Sequence, residues 1–225
     1  MGFKKKYKTL EEPCLSLLNS QSSFELKEAY NTLATKVIYF PIEDTCKKIV
    51  ITSSNYGEGK TSVAINLAIA LASSLIDKKV LLVDADLRSP HVKTFLNSLI
   101  SNEENNSGLS DYLSVETAKC KTYTTHIDNL HVIYSGDAPI NPAGLINSDK
   151  MNELMSSFEG KYDYVIIDTP PVNVVSDSIL LVGRVNGYVI ASKAGYTTVP
   201  MLNSAAESLN MVGANVFGVV LSESN

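Results

Sequence analysis

The sequence has few of the residues that build disulfide frameworks or metal clusters. Its 225 residues include three cysteines, Cys14, Cys46 and Cys120, and three histidines. The cysteines are odd in number and far apart, which argues against a disulfide framework and a zinc site and fits a reducing cytosol. With so few histidines, a metal site built from His and Cys ligands is not expected.

Long apolar stretches are also missing. No stretch reaches the roughly 18 apolar residues that a membrane span requires. The start of the chain, Met1-Gly2-Phe3-Lys4-Lys5-Lys6, has no apolar run behind its lysines and therefore does not resemble a secretory signal. The sequence predicts a cytoplasmic protein. The N-terminal lysines suit either a solvated basic tail, which is the favoured interpretation, or contact with an anionic membrane surface.

The sequence also has no excess of positive charge. The 19 Lys and Arg residues are outnumbered by 24 Asp and Glu residues, and the net charge is −5. This balance argues against nucleic-acid binding through bulk electrostatic attraction. The apolar content of 44% and the charged fraction of 19% allow a sizeable core and indicate a folded chain.

Two parts are predicted along the chain. Residues 1–22 are polar and form a flexible leader, and residues 23–225 form a single domain that begins with a helix. Ser23 is the expected N-cap of this helix, and Pro41 ends it. Its apolar side chains recur at the spacing of one helical face. They are Phe24, Leu26, Ala29, Leu33, Val37 and Phe40.

From Lys47 onward, short apolar runs alternate with helical stretches. The predicted strands are 49–53, 80–83, 130–134, 164–168, 187–191 and 216–221, and the predicted helices between them are 61–75, 149–158 and 201–211. Most of the runs are continuously apolar, as expected of strands that are covered on both faces. The pattern predicts an α/β fold with a mostly parallel sheet and helices on both faces.

The segment after the first predicted strand fits a phosphate-binding loop. It reads Ser54-Asn55-Tyr56-Gly57-Glu58-Gly59-Lys60-Thr61, with Ser54 where the first Gly of the pattern usually stands. Glycines let backbone N–H groups surround phosphate oxygens, and the following helix N-terminus adds partial positive charge. Lys60 would reach the β- and γ-phosphates of ATP, and the Thr61 hydroxyl would bind Mg²⁺. The predicted nucleotide-binding residues are Asn55, Tyr56, Gly57, Glu58, Gly59, Lys60, Thr61 and Ser62; the alternative is a Gly-rich turn that only caps a helix.

Carboxylates follow two other predicted strands. Asp84 and Asp86 come at the end of the strand 80–83, and Asp168 ends the strand 164–168. Ligands of open α/β sheets bind at this edge. One acid of the pair Asp84 and Asp86 would bind Mg²⁺ and the other would accept a proton from an attacking hydroxyl, while Asp168 fits a Walker-B acid. The alternative for each acid is a turn cap.

Arg88 comes shortly after the acid pair. Its guanidinium is a candidate for contact with phosphate or with a neighbouring subunit, and a surface ion pair is an equally favoured alternative.

Together these residues resemble the bacterial tyrosine kinases of the CpsD/CapB type, which share a P-loop branch with the MinD/ParA ATPases. The resemblance covers about residues 24–221. Its most specific parts are the phosphate-binding loop and Asp84-Ala85-Asp86-Leu87-Arg88-Ser89-Pro90, supported by Gly108-Leu109-Ser110-Asp111-Tyr112-Leu113, Gly136, Asn141-Pro142, Asp168-Thr169-Pro170-Pro171 and Asp177. MinD/ParA proteins carry a second lysine early in the loop. Asn55 stands at that place here, which favours the kinase branch.

The resemblance implies an ATP- and Mg²⁺-dependent protein-tyrosine kinase that regulates the synthesis and export of capsular polysaccharide or exopolysaccharide. Asp84 would accept the proton of the tyrosine hydroxyl, and Lys60 would bind the phosphates. Asp86 and Asp168 would hold Mg²⁺ together with Thr61. The implied partners are tyrosine-containing protein substrates and a membrane-spanning activator with a cytoplasmic tail, which would recruit the kinase to the inner face of the membrane. A homo-oligomer is left open.

The sequence departs from the family pattern in three places. The family usually ends in a tyrosine cluster, whereas the last tyrosine here is Tyr196. Either the cluster belongs to a segment outside this chain, or the phosphate is transferred to another acceptor. The first helix has Glu28, Asn31 and Ala34 where the family has Glu-x-x-Arg-x-x-Arg, and the last strand ends in Ser222 rather than Asn. These differences concern assembly, the acceptor and the adenine site, and they leave the acids in place.

Two other functions are compatible with the sequence. One is a nucleotide-binding switch or scaffold of the same machinery with little phosphoryl transfer, which the altered helix and the missing tyrosine cluster favour. The other is a MinD-like ATPase that acts on a membrane or a cargo, against which Asn55 counts.

Overall fold

Seven strands form one sheet in a computed structural model that describes residues 17–19, 21–96, 99 and 107–222. The strand order is β3-β4-β2-β5-β1-β6-β7. The strands are β1 (Lys47–Ser53), β2 (Val80–Asp84), β3 (Tyr123–Thr124), β4 (Leu130–Ile133), β5 (Tyr164–Asp168), β6 (Gly187–Lys193) and β7 (Val216–Ser222). All pairings are parallel except that of β3 with β4. The predicted α/β fold with a mostly parallel sheet is confirmed.

Seven α-helices and a short 3-10 helix (Ile179–Leu181) accompany the sheet within the described residues. The α-helices are α1 (Phe24–Tyr39), α2 (Lys60–Ser74), α3 (Val92–Leu96), α4 (Leu109–Ser114), α5 (Pro142–Ile146), α6 (Asp149–Ser157) and α7 (Val199–Met211). None of the helices in this part of the chain combines the length and hydropathy needed to cross a bilayer.

The sheet is covered by an apolar layer on each face. Ile49 and Ile51 of β1 pack into the layer that contains α2, whereas Val50 packs into the opposite layer with residues of α6 and α7. Successive side chains of a strand point to opposite faces, so a strand covered twice must be apolar at every position. This arrangement explains the continuous apolar runs of the sequence.

The first helix has the predicted bounds but a different buried face. The Ser23 side chain accepts a hydrogen bond from the Leu26 N–H, as expected of an N-cap. The predicted burial of Phe24 and Ala29 is wrong, because Phe24 is 73% exposed and Ala29 is exposed as well. The buried residues lie in the second half of the helix, where α1 packs on α2.

Two described residues that precede α1 contact the same core. Leu17 and Leu18 pack against it, and the Leu18 N–H donates to Asn66 Oδ1 of α2 at 2.9 Å. Residues 1–16 and 20 of the predicted leader, including its lysines, lie outside the described residues. The division into a leader of residues 1–22 and a domain of residues 23–225 therefore stays a prediction.

Gly108 allows the start of α4 to approach the backbone that follows β4. The N–H groups of Leu109 and Ser110 donate to the carbonyls of Tyr134 and Ser135 at 2.7 and 2.8 Å. A Cβ atom on Gly108 would lie 2.3 Å from both the Tyr134 carbonyl oxygen and the Gly136 nitrogen. The close backbone approach therefore requires glycine at position 108, although its φ of −142° is open to any residue.

We expect Gly108→Ala to lower the free energy of unfolding by about 1–3 kcal/mol, the usual cost of forcing atoms into a packed site. The collision is with backbone atoms, which no side-chain rotation relieves. Urea unfolding followed by circular dichroism measures the change. Glu207→Ala, on the exposed face of α7, is the control and should stay within about 0.5 kcal/mol of the parent. Equal midpoints for the two variants would contradict the prediction.

Candidate functional site

The carboxyl ends of three adjacent strands bring the predicted site residues to one edge of the sheet. β1 lies between β5 and β6 and runs directly into the loop Ser54–Gly59. β2 and β5 pair in parallel with Asp84 opposite Asp168, and β1 pairs with β5 with Ile51 opposite Asp168. Both acids therefore end strands beside the phosphate-binding loop, as the sequence predicts.

The phosphate-binding loop depends on two glycines for its path. Gly57 has φ of +76° and Gly59 has φ of +83°, which is the left-handed region that side chains disfavour. The N–H of Asn55 donates to Glu58 Oε2 and the N–H of Tyr56 donates to Asn55 Oδ1, each at 2.8 Å. Since the first N–H groups of a helix lack partners within it, the amides that begin α2 suit phosphate oxygens. They include those of Lys60, Thr61 and Ser62.

The two residues that begin α2 contact carboxylates directly. Lys60 Nζ lies 2.8 Å from Asp86 Oδ2, and the Thr61 hydroxyl donates to Asp168 Oδ2 at 2.6 Å. Thr61 and Asp168 are 107 residues apart in the chain. Burial lowers the pKa of Lys60, but the neighbouring carboxylates raise it by more, so the pKa lies above its usual value. Lys60 is therefore a buried ammonium group beside an acidic cluster, which consists of Asp84, Asp86 and Asp168.

Asp84 is a fully buried carboxylate with one oxygen left unpaired. Its Oδ2 accepts from the Val92 N–H at 3.2 Å, whereas Oδ1 has no hydrogen-bond partner among the described residues. Burial raises the pKa of Asp84 well above its usual value, and the charges of Asp168 and Asp86 raise it further. A buried acid with a raised pKa and an unpaired oxygen is suited to accept a proton.

The donor set fits a magnesium ion held jointly with phosphates. Asp168 Oδ1 is buried and accepts no hydrogen bond from the part of the chain that the structure describes, and burial raises the pKa of Asp168. Within the described residues, no group of three or more His, Cys, Asp or Glu side chains is arranged to hold a metal by itself. Mg²⁺ at phosphate sites needs only one or two carboxylates, because phosphate and water oxygens complete its shell. Asp86, Asp168 and Thr61 meet that requirement.

Arg88 forms an ion pair within the chain. Its Nε and Nη2 atoms donate to the two carboxylate oxygens of Asp177 at 2.7 and 2.9 Å. Asp177 is buried and Arg88 is partly exposed. Of the interpretations that the sequence leaves open, the structure contains the ion pair. Its two hydrogen bonds hold the segment after Asp86 against the segment after β5.

Sequence patterns miss two residues that contact the loop. The Thr197 hydroxyl, between β6 and α7, donates to Glu58 Oε1 at 2.6 Å. Ser222 ends β7, and a Cβ atom on Gly59 would lie 3.4 Å from the Ser222 hydroxyl oxygen. No local pattern marks Thr197. The sequence marks Ser222 only as the residue that replaces the family's Asn.

A parallel sheet with a phosphate-binding loop, a buried lysine and strand-end acids defines a P-loop nucleotide-binding protein. Comparison with known proteins supports this class. The sequence model of the family described as AAA domain matches residues 46–212. The tyrosine-protein kinase YwqD of Bacillus subtilis is 36% identical over 200 residues, which are 86% of this chain and 79% of YwqD.

Solved structures agree. The kinase domain of the Escherichia coli tyrosine kinase Etk superposes with a TM-score of 0.79 at 31% identity, over 88% of this chain and 75% of that one. The septum site-determining protein MinD of Pyrococcus horikoshii, solved with Mg-ADP, has a TM-score of 0.63 at 26% identity, over 78% and 70% of the two chains. The chain belongs to the AAA-domain family of P-loop proteins and, within it, to the bacterial tyrosine-protein kinases of the CpsD/CapB type. The predicted family is confirmed.

Proposed function

We propose that this chain is an ATP-dependent protein-tyrosine kinase in which Asp84 is the general base. The observation that carries the proposal is the buried Asp84 carboxylate, whose Oδ1 is unpaired within the described residues, at the strand edge where Lys60 and Thr61 begin α2. The P-loop amides and Lys60 would bind the phosphates of ATP, and Asp84 would take the proton as the tyrosine oxygen attacks the γ-phosphate. The bond from the γ-phosphorus to the oxygen that bridges it to the β-phosphate would break, and ADP would leave.

Mg²⁺ would be held by Thr61, Asp86 and Asp168 and would supply positive charge to the β- and γ-phosphates. The Lys60 ammonium group lies 2.8 Å from Asp86 Oδ2 and offsets the charge of that acid. The three acids are buried, so bulk water does not surround the Asp84 carboxylate.

The resemblance to the CpsD/CapB type supports a role in capsular or exopolysaccharide synthesis and export. In that role the kinase is cytoplasmic and is recruited to the inner face of the membrane by an activator that spans it and presents a cytoplasmic tail. Tyrosine-containing proteins would be its substrates.

The test is a phosphotyrosine assay of the purified chain with Mg-ATP, the tail of the activator and a tyrosine-rich acceptor polypeptide. We expect a signal that increases with time and disappears when ATP is replaced by a non-hydrolysable analogue. Tight nucleotide binding without any phosphotyrosine on several acceptors would instead favour the nucleotide-binding switch or scaffold. Rapid phosphate release without transfer to tyrosine would favour the MinD-like ATPase.

A further inference from the structure

The phosphate-binding loop contains a carboxylate that does not belong to the acidic cluster. Glu58 lies between the two left-handed glycines, and its side chain is fully buried. A negative charge beside bound phosphates would weaken their binding if it faced them. The contacts of Glu58 show that its carboxylate is used for a different purpose.

Both oxygens of the Glu58 carboxylate accept hydrogen bonds from neutral donors. The Ser54 hydroxyl lies 2.7 Å from Oε1 and 2.9 Å from Oε2, and the Asn55 N–H donates to Oε2 at 2.8 Å. The carboxylate therefore joins the start of the phosphate-binding loop to its end and fixes the distance between them.

The same carboxylate reaches the segment that runs from the last residue of β6 to the N-cap of α7, which we call the 193–198 loop (Lys193–Thr198). The Thr197 hydroxyl donates to Glu58 Oε1 at 2.6 Å, and Glu58 and Thr197 are 139 residues apart in the chain. The Thr197 oxygen also accepts from the Lys193 N–H at 2.8 Å, which holds the hydroxyl in place. A hydrogen bond to a buried carboxylate is among the stronger kinds in proteins.

The end of β7 also contributes to this connection. The Ser222 hydroxyl at the end of β7 donates to the Ser192 carbonyl at 3.1 Å and lies 3.5 Å from the Glu58 carbonyl oxygen. The phosphate-binding loop is thus attached, through Glu58, to the ends of β6 and β7, which lie on the side of β1 opposite to the acidic cluster.

We propose that Glu58 is a positioning residue that holds the phosphate-binding loop in its nucleotide-binding shape by anchoring it to Thr197 of the 193–198 loop. Glu58 touches no reacting atom in this role, and its effect reaches ATP through the backbone amides that follow it. The inference rests on the proposed function only in naming ATP as the nucleotide. A displacement of Thr197 would therefore be transmitted to nucleotide affinity.

The test compares Thr197→Val, which removes the hydroxyl at nearly constant shape, with Thr197→Ser, which keeps it. We expect Thr197→Val to weaken binding of a fluorescent ATP analogue by roughly tenfold, the effect of losing a charge-assisted hydrogen bond. The KM for ATP should rise by the same factor while kcat changes less than about twofold, because the loop is still able to reach its bound shape. Thr197→Ser should restore wild-type affinity.

Glu58→Gln and the double variant Glu58→Gln with Thr197→Val extend the comparison. A carboxamide keeps one accepting oxygen, so Glu58→Gln should also weaken binding of the ATP analogue. The affinity of the double variant should equal that of whichever single variant has the lower affinity. Such non-additivity is expected when two side chains act through one contact. Additive losses in the double variant would contradict the anchor.

Thr198→Val is the matched control. Thr198 is the N-cap of α7, where its hydroxyl accepts from the Met201 N–H rather than bonding to Glu58. The variant should lower the melting temperature and leave nucleotide affinity unchanged. Weakened binding in Thr198→Val, or unchanged binding in Thr197→Val, would overturn the proposal. Because binding is measured without transfer, a failure to phosphorylate tyrosine leaves this result readable.

Discussion

Asp84→Asn is expected to reduce tyrosine phosphorylation by about two to four orders of magnitude, which is the usual contribution of a general base. The amide has nearly the shape of the carboxyl group, and its oxygen is able to keep the hydrogen bond from the Val92 N–H. It accepts no proton from tyrosine. The affinity for a fluorescent ATP analogue should therefore fall far less than kcat, and initial rates with antibody detection of phosphotyrosine measure the difference.

The same variant should be more stable than the parent at neutral pH in the absence of metal. The pKa of Asp84 is raised in the folded state, so its favourable contribution is present below the unfolded pKa and is lost as pH rises through the folded pKa. The amide side chain of the variant carries no charge and does not lose this contribution. The difference in free energy of unfolding should be near zero in acid and should grow toward neutral pH, as urea unfolding at several pH values would show.

Asp77→Asn serves as the control for both measurements. Asp77 lies on the surface between α2 and β2, away from the strand ends that carry the acids. It should match the parent in kinase rate and in the pH dependence of stability. An Asp84→Asn enzyme with more than roughly a tenth of the parent rate would remove Asp84 from its proposed role.

Lys60→Met is expected to abolish nucleotide binding and to destabilise the fold at the same time. The methionine keeps the apolar stem and removes the ammonium group that lies 2.8 Å from Asp86 Oδ2. Removing one partner of a buried ion pair usually costs about 3–5 kcal/mol because the other charge stays buried. Titration with the fluorescent ATP analogue and urea unfolding at neutral pH measure the two effects.

The loss of stability in Lys60→Met should shrink in acid. The pKa values of Asp84 and Asp168 are raised by burial, so these acids gain protons readily as pH falls. Once they are neutral, the loss of the Lys60 charge costs less free energy of unfolding. Lys161→Met, on the exposed turn after α6, is the matched control and should behave as the parent does. Nucleotide affinity within about twofold of the parent in Lys60→Met would contradict the assigned part of this lysine.

The main sheet could be predicted because its strands are covered on both faces. Val80–Asp84 and Tyr164–Asp168 are apolar up to their final acid, and such continuous apolar runs are typical of strands in a buried parallel sheet. The antiparallel edge strand Tyr123–Thr124 has two residues and carries no period. The short helices α3, α4 and α5 escape prediction for the same reason, since five or six residues cover too little of a helical repeat.

The site was predictable where its residues stand next to a strand or helix signal. Lys60, Thr61, Asp84 and Asp168 come together because parallel strands end at one edge. The partners of Glu58 and Arg88 were not predictable in the same way. Thr197 and Asp177 reach them by side-chain contacts across long stretches of chain, which leave no mark on local sequence.

The strand order also determines when the nucleotide site forms during protein synthesis. β1 and its loop are made early, yet their neighbours in the sheet are β5 and β6, which are made after most of the chain. When the loop has left the ribosome, β1 is therefore an exposed apolar strand whose neighbours in the sheet have not yet been made. Nucleotide offers no help at this stage, because Asp168 and Thr197 have not yet been translated. Unpaired apolar strands are prone to aggregate, and β1 gains both of its neighbours only when β6 has emerged.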